Sequence, residues 1–195
     1  DFDRNTACCG HRDVLVSLLH RMQSRVGSRL LHVVEVGIAS GQTAQHLMRE
    51  FPGALNYTGI DPTPQCGTEP PSSISGSPLR VGLDCRHLIH QVFSAENSHG
   101  NAAQLLEITS LQGAVLFADA SIDMVFIDAE HDDNVASDLE AWVPKLRMGG
   151  IVSGHDFALD WPHVVEHVVN WHCTSKSNSM KSQQQLHLGM GSMFW

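Results

Sequence analysis

The chain has 195 residues, 42% of them hydrophobic and 17% charged, a balance typical of one α/β domain with a buried core. Its formal net charge of -9 argues against a broad phosphate-binding surface, so nucleic acid is not an expected partner. No apolar run approaches the roughly 18 residues that a bilayer span requires, so no membrane partner is expected either.

The first part of the chain predicts an N-terminal helical region, residues 1–29, followed by a strand–helix–strand unit. Hydrophobic residues recur at helical spacing through Arg12–Val26. The β-branched run Leu30–Val36 predicts a strand, Gln42–Phe51 a helix and Leu55–Ile60 a second strand. Two strands joined through a helix are expected to lie parallel in one sheet.

The middle of the chain is less regular. Residues 62–80 are rich in proline, serine and glycine and predict a flexible loop. His87–Ser94 predicts a third strand and Ala102–Leu111 a helix. The five scattered cysteines favour free thiols in a reducing compartment, and hence the cytoplasm, although a disulfide between Cys66 and Cys85 stays open.

The last third of the chain continues the alternation of strands and helices. The patterns predict a strand at Asp123–Asp128, a helix at Val135–Val143, a helix end at Lys145–Gly150, a strand at Ile151–Gly154, a helix at Trp161–His172, and a closing strand pair at Gln185–Leu188 and Met190–Trp195. Continuous apolar strands that alternate with helices predict a doubly wound, mostly parallel α/β sheet in one domain over residues 1–195.

The segment after the first strand carries a glycine turn. Gly37 and Gly41 stand four apart, but Ala39 breaks the GxGxxG pattern of dinucleotide-binding folds, which favours an adenosyl cofactor over a nicotinamide one. The second strand ends at Asp61, where a carboxylate can accept both hydroxyls of a ribose. A turn-initiating aspartate before Pro62 is the structural alternative.

Polar residues cluster after two later strands. Asp128 follows one strand, and His155 and Asp156 follow the next. Strand ends that are neighbours would bring two carboxylates and an imidazole together, a donor set that suits a divalent metal with open positions. His131 is then available as a general base. Taken singly, each residue is better explained as a turn or cap residue than as a catalytic one, whereas together at two neighbouring strand ends they favour a functional site.

Four segments, EVGIASGQTA, YTGIDP, SIDMVFIDAEHD and DLEAWVPKLRMGGIVSGHD, together with the terminal SMFW, resemble class I S-adenosylmethionine-dependent methyltransferases. The specific likeness is to small-molecule O-methyltransferases related to the catechol and macrolide-sugar enzymes. It implies a Rossmann-like seven-stranded sheet with an antiparallel C-terminal strand, S-adenosyl-L-methionine as cofactor, and a small-molecule hydroxyl as methyl acceptor.

The resemblance also implies functional residues. For the cofactor they are Glu35, Gly37, Ser40, Gly41, Asp61, Ser94, Ala95 and Asp128. For a divalent metal, magnesium or manganese, they are Asp128, His155 and Asp156, and for catalysis Asp128 and His131. His155 stands where better-studied relatives have a carboxylate, which shifts metal preference towards manganese, iron or zinc and leaves open a base role without metal.

Two other functions fit the same residues. One is a metal-dependent hydrolase or hydroxylase that uses the carboxylates and histidines at this edge of the sheet. The other is a non-catalytic module that binds an adenosyl ligand. The sequence leaves the oligomeric state open between a monomer and a homodimer.

Overall fold

The computed structural model describes residues 10–63, 86–98, 100–129, 134–176, 186–189 and 192–195. Within these ranges the helices are α1 (Gly10–Val26), α2 (Gln42–Glu50), α3 (Arg86–Ser98), α4 (Ser110–Ala114), α5 (Asn134–Trp142) and α6 (Pro162–Lys176). The strands are β1 (Leu31–Val36), β2 (Leu55–Ile60), β3 (Ala102–Leu106), β4 (Ile122–Ile127), β5 (Leu146–Gly154), β6 (Leu188–Gly189) and β7 (Met193–Phe194).

The described strands form one sheet in the order β3-β2-β1-β4-β5-β7-β6. The pairs from β3 to β5 are all parallel, and β7 runs antiparallel to both β5 and β6. The predicted Rossmann-like α/β fold, mostly parallel with an antiparallel C-terminal strand, is therefore confirmed. The bounds of β2 coincide with the predicted Leu55–Ile60.

The sheet is covered on both faces, which explains why its central strands are mostly apolar. On one face α1, α2 and α3 pack on side chains such as Val33 and Phe126. On the other face α4, α5 and α6 pack on side chains such as Val34 and Val125. All six residues of β4 are buried, as expected for a central strand of a doubly wound sheet.

Two predicted elements are wrong. His87–Ser94 lies in helix α3, because Ile89 and Phe93 are four apart and bury one helical face against the sheet. Ala102–Leu106 is strand β3, since pairing with β2 overrides the helix preference of its alanines and leucines.

The prediction of a helix end at Lys145–Gly150 is also wrong. A single turn of 3-10 helix ends at Lys145, and β5 begins at Leu146. Gly149 has a φ of +78° and belongs to an irregular stretch of the pairing with β4, so the paired glycines mark a bulge in the strand and not a helix stop.

Several predictions lie outside the described residues. They are the flexible loop from residue 64 onward, the Cys66–Cys85 pairing and the base His131. Among the helices that the structure describes, none has the length and hydrophobicity to cross a lipid bilayer.

Candidate active site

The sheet changes its winding direction between β1 and β4. From β1 the chain builds outward to β2 and β3, whereas β4 and β5 extend the sheet on the other side. In open parallel sheets, ligands bind at the carboxyl ends of the strands at this switch point. The residues found there are Gly37, directly after β1, and Asp128, directly after β4.

Gly37 and Asp128 are in close contact. A Cβ atom added at Gly37, whose φ is +88°, would overlap the carbonyl oxygen of Asp128. The Gly37 N–H donates to the carbonyl of Ile60 at 2.8 Å, and the Asp128 N–H donates to the carbonyl of Val36 at 2.8 Å. Only glycine fits here, and the sheet bonding continues one residue past each strand.

The glycine turn leads from Gly37 into helix α2. Ala39 and Gly41 both have positive φ values, 44° and 73°, and the Gly41 N–H donates to the carbonyl of Ile38 at 2.8 Å. Ser40 lies half-buried within the turn. Among the described residues no side chain caps the first turn of α2, so its N–H groups and the positive end of the helix dipole are available to an anionic group.

The Asp61 carboxylate holds the glycine turn. Its Oδ2 accepts hydrogen bonds from the backbone N–H groups of Ile38 and Ala39, both at 3.0 Å. Its Oδ1 accepts one from the N–H of Thr63 at 2.9 Å. The last bond is the turn contact that an aspartate before a proline makes, so Asp61 has the structural role that the sequence left as an alternative.

Glu35 is a buried acid beneath the turn. It is 2% exposed, and its Oε2 accepts a hydrogen bond from the Tyr57 hydroxyl at 2.7 Å. Burial raises the pKa of Glu35 to about 8; the bond from Tyr57 opposes the shift, and the nearby Asp128 adds to it. Glu35, which lies below the predicted cofactor turn, is therefore largely protonated and uncharged at neutral pH.

The three predicted metal ligands come together. One ligand atom from each of Asp128, His155 and Asp156 lies within 4.8 Å of the other two. Nδ1 of His155 is 3.5 Å from Oδ1 of Asp128 and 3.1 Å from Oδ1 of Asp156. All three side chains are partly exposed to solvent.

The cluster shifts the acidity of its histidine. Burial alone would lower the pKa of His155, but hydrogen bonds and attraction to Asp128 and Asp156 outweigh it and raise the pKa to about 10. Asp156 itself has a φ of +59°, an unusual conformation for a residue with a Cβ atom. The backbone at this turn is thus held where it directs the carboxylate towards His155.

The sequence did not identify His11, which comes from helix α1. Its ring is 5% exposed and meets the His155 ring edge to face, with 4.7 Å between centroids. Burial, followed by the nearby His155, lowers the pKa of His11 to about 4. No local motif marks this residue, since its contacts are with parts of the chain that are distant in sequence.

The prediction of Ser94 and Ala95 as cofactor-binding residues rests on a turn expected after a third strand. Both lie within helix α3, so the reason for choosing them is wrong. The residue that follows the true third strand is Glu107, whose carboxylate is 2.8 Å from Nε2 of His90 and 3.4 Å from Nε of Arg86. The position after a strand would have identified Glu107 once β3 was assigned correctly.

A cavity of about 660 Å³ lies elsewhere, along β5 and the C-terminal half of α1. Arg21, Arg25 and Arg147 contribute its charged lining, and none of the predicted site residues borders it. Size alone would favour this cavity. The converging acids and imidazoles, however, lie at the switch point, which is therefore the better candidate for a catalytic site.

A protein-family model described as a methyltransferase domain matches residues 34–157. The match runs from within β1 to the turn after β5. It therefore includes the glycine turn, Asp61, and the cluster of Asp128, His155 and Asp156. No curated protein sequence matches the chain significantly.

Solved structures share the fold. A candidate caffeoyl-CoA O-methyltransferase from Staphylococcus aureus superposes with a TM-score of 0.60 at 16% identity, covering 100% of this chain and 82% of that one. A candidate O-methyltransferase from Klebsiella pneumoniae gives 0.58 at 14%, covering 100% and 81%. The TDP-rhamnose 3'-O-methyltransferase of calicheamicin biosynthesis gives 0.58 at 16%, covering 90% and 72%. At these identities the likeness establishes the fold.

Gly37→Ala should destabilise the protein far more than Gly27→Ala. Both glycines have positive φ, but a Cβ at Gly27 meets no atom within 4 Å, whereas one at Gly37 meets the Asp128 carbonyl. We expect the free energy of unfolding, measured with urea, to fall by about 1–2 kcal/mol in Gly27→Ala, from backbone strain alone. In Gly37→Ala it should fall by about 3 kcal/mol or more. Equal losses would contradict the close contact.

Glu35→Gln should change how stability depends on pH. The folded protein keeps a proton on Glu35 up to about pH 8, whereas the unfolded chain releases it near the ordinary pKa of 4.5. The wild type therefore loses stability through this group as pH rises between these values, by at most about 1.4 kcal/mol per pH unit. Glutamine has no such proton.

We accordingly expect the free energy of unfolding of Glu35→Gln, relative to wild type, to increase steadily from about pH 5 to about pH 8. Glu50→Gln, at the exposed end of α2, is the matched control and should run parallel to wild type. Parallel curves for Glu35→Gln as well would show that Glu35 is ionised in the folded protein.

Proposed function

Because the chain belongs to the methyltransferase-domain family, we propose that it transfers the methyl group of S-adenosylmethionine to a hydroxyl oxygen of a small molecule, assisted by a divalent metal. The family assignment confirms the predicted S-adenosylmethionine-dependent methyltransferase. The observation that carries the finer proposal is the cluster of Asp128, His155 and Asp156, which lies directly beside the glycine turn at the switch point.

The cofactor would lie across the end of β1. Gly37, Ser40 and Gly41 give it a turn with little side-chain bulk, and the uncapped start of α2 favours its carboxylate. Asp61 would accept a ribose hydroxyl. Its Oδ2 already accepts two N–H groups and its Oδ1 one, so one acceptor position remains, on Oδ1, without loss of an existing bond.

The donor set fits a divalent metal. Two carboxylate oxygens and one imidazole nitrogen are ligands that manganese, iron and zinc accept, and magnesium accepts the oxygens more readily than the nitrogen. Three protein ligands leave coordination positions on such an ion for other groups. Bound there, such an ion would supply Lewis acidity that lowers the pKa of an acceptor hydroxyl.

Methyl transfer then requires alignment and removal of one proton. The acceptor oxygen attacks the methyl carbon, the carbon–sulfur bond breaks, and S-adenosylhomocysteine leaves as the neutral thioether. The hydroxyl proton would pass to His131, three residues after Asp128 in sequence. Because Asp128 touches Gly37, acceptor and cofactor sides are adjacent, and proximity would supply much of the rate.

Isothermal titration with S-adenosylmethionine and S-adenosylhomocysteine tests the cofactor. We expect both to bind, and Asp61→Ala to weaken both because it removes the bonds that hold the glycine turn. Asp119→Asn is the matched control: Asp119 lies just before β4, and its exposed carboxylate pairs with Lys145. This variant should bind both compounds like wild type. The proposal fails if neither compound binds wild-type protein at millimolar concentration.

A thermal-shift series with magnesium, manganese and zinc, each with and without cofactor, tests the metal. Asp128→Asn should abolish both the metal-dependent rise in melting temperature and methyl transfer to a panel of phenolic and sugar hydroxyls, because it removes a ligand. Full activity in EDTA would rule out the metal. Metal stabilisation without any cofactor effect would instead favour a hydrolase or hydroxylase.

A further inference from the structure

Helix α1 reaches the candidate active site through the imidazole of His11. This residue is the second of the helix and is 5% exposed. It precedes the range that matches the family model, and the sequence predicted no functional residue in this helix. A buried imidazole at the edge of the acid cluster therefore calls for a physical explanation.

Two contacts hold the His11 ring. Its Nε2 lies 3.2 Å from the hydroxyl oxygen of Thr43, in the first turn of α2. Its face stacks on Phe126 of β4, with centroids 5.9 Å apart and an angle of 15° between the planes. A buried ring held in both ways has one orientation, because rotation would break the hydrogen bond and the stack together.

The fixed ring in turn limits His155. The two rings meet at 62° with centroids 4.7 Å apart, an edge-to-face arrangement that is favourable between aromatic rings. Nδ1 of His155 lies between the carboxylates of Asp128 and Asp156. If His155 turned about its Cβ–Cγ bond, it would lose the contact with His11 and the approach of Nδ1 to both carboxylates.

An imidazole at this place has an energetic cost. Nδ1 of His11 has no hydrogen-bond partner among the described residues, and an unpaired buried polar atom costs about 1–3 kcal/mol. The rest of the buried face of α1 is aliphatic or thioether: Leu15, Leu18, Leu19 and Met22. An aliphatic side chain would continue that face without the cost, so a flat ring must serve something other than packing.

We propose that His11 is a positioning residue for His155. His11 holds the His155 imidazole in the orientation in which Nδ1 faces both the Asp128 and the Asp156 carboxylate, and it thereby makes helix α1 part of the metal site. The identity of the site as a metal centre rests on the proposed function. The hydrogen bond between His11 and Thr43 links the two histidine rings to α2, the helix that starts at the glycine turn. The proposed cofactor and metal sides of the site are therefore connected through His11.

Side-chain NMR tests the orientation without any metal. In protein labelled with ¹³C at histidine Cε1, the His155 resonance, assigned through His155→Gln, should be shifted by the ring current of His11. We expect His11→Ala to move and broaden this resonance. His20→Ala is the matched control: it removes a histidine from the same helix whose ring packs on Phe51 with 4.6 Å between centroids, and it should leave the signal unchanged.

Titration calorimetry with Mn²⁺ alone tests the consequence for metal binding. His11→Ala should weaken binding by about tenfold or more, as loss of a group that orients a metal ligand does. His11→Phe keeps a ring against His155 and should restore most of the affinity. Thr43→Val removes the hydrogen bond to His11 and should give a smaller loss in the same direction.

The outcomes separate the two proposals. An unchanged His155 resonance in His11→Ala, or Mn²⁺ binding by His11→Phe as weak as by His11→Ala, would overturn the positioning role. If His11→Ala does not fold, the Mn²⁺ affinities of the other two variants decide. Near wild-type affinity in His11→Phe with a smaller loss in Thr43→Val supports the role, and a loss of about tenfold in His11→Phe overturns it. Wild-type protein that binds no Mn²⁺ would contradict the metal centre of the proposed function, while the NMR measurement would still decide the role of His11.

Discussion

The site depends on how closely the chain passes itself at the ends of β1 and β4. Gly37 leaves no room for a side chain beside the Asp128 carbonyl, and ladder bonds on both sides hold the two strand ends in place. The distance between the glycine turn and the acid cluster is therefore set by the spacing of neighbouring strands, about 4.8 Å. A sheet fixes such a distance more firmly than surface loops would.

The parts of the fold that the sequence predicted are those in which local pattern and tertiary environment agree. The segment Leu55–Ile60 contains the strand-favouring residues Tyr57, Thr58 and Ile60 and is buried on both faces of the sheet. The prediction was wrong where the two disagree: Ala102–Leu106 consists of helix-favouring residues but pairs as a strand along β2. Arg86–Ser98 contains β-branched residues, and only its packing against the sheet shows that they lie on one helical face.

The same division applies to the site. Asp128, His155 and Asp156 were predictable, because parallel strands carry the residues after them to one edge. His11 was not, since nothing in its neighbourhood along the chain distinguishes it from the rest of an amphipathic helix. The protonation of Glu35 was likewise unpredictable: a glutamate beside a glycine turn suggests charge, and only its burial, which outweighs the opposing hydrogen bond from Tyr57, reverses that expectation.

The Asp61 carboxylate has a thermodynamic consequence for ligand association. Two of its three bonds to backbone N–H groups, those from Ile38 and Ala39, shape the glycine turn through protein contacts alone, and the third, from Thr63, holds the carboxylate itself in place. A ligand that docks on this turn does not have to order it, so the loss of conformational entropy that accompanies coupled folding is small. The heat-capacity change on ligand binding at this turn should then reflect the apolar surface that is buried. The association rate of the ligand should not be limited by rearrangement of the turn.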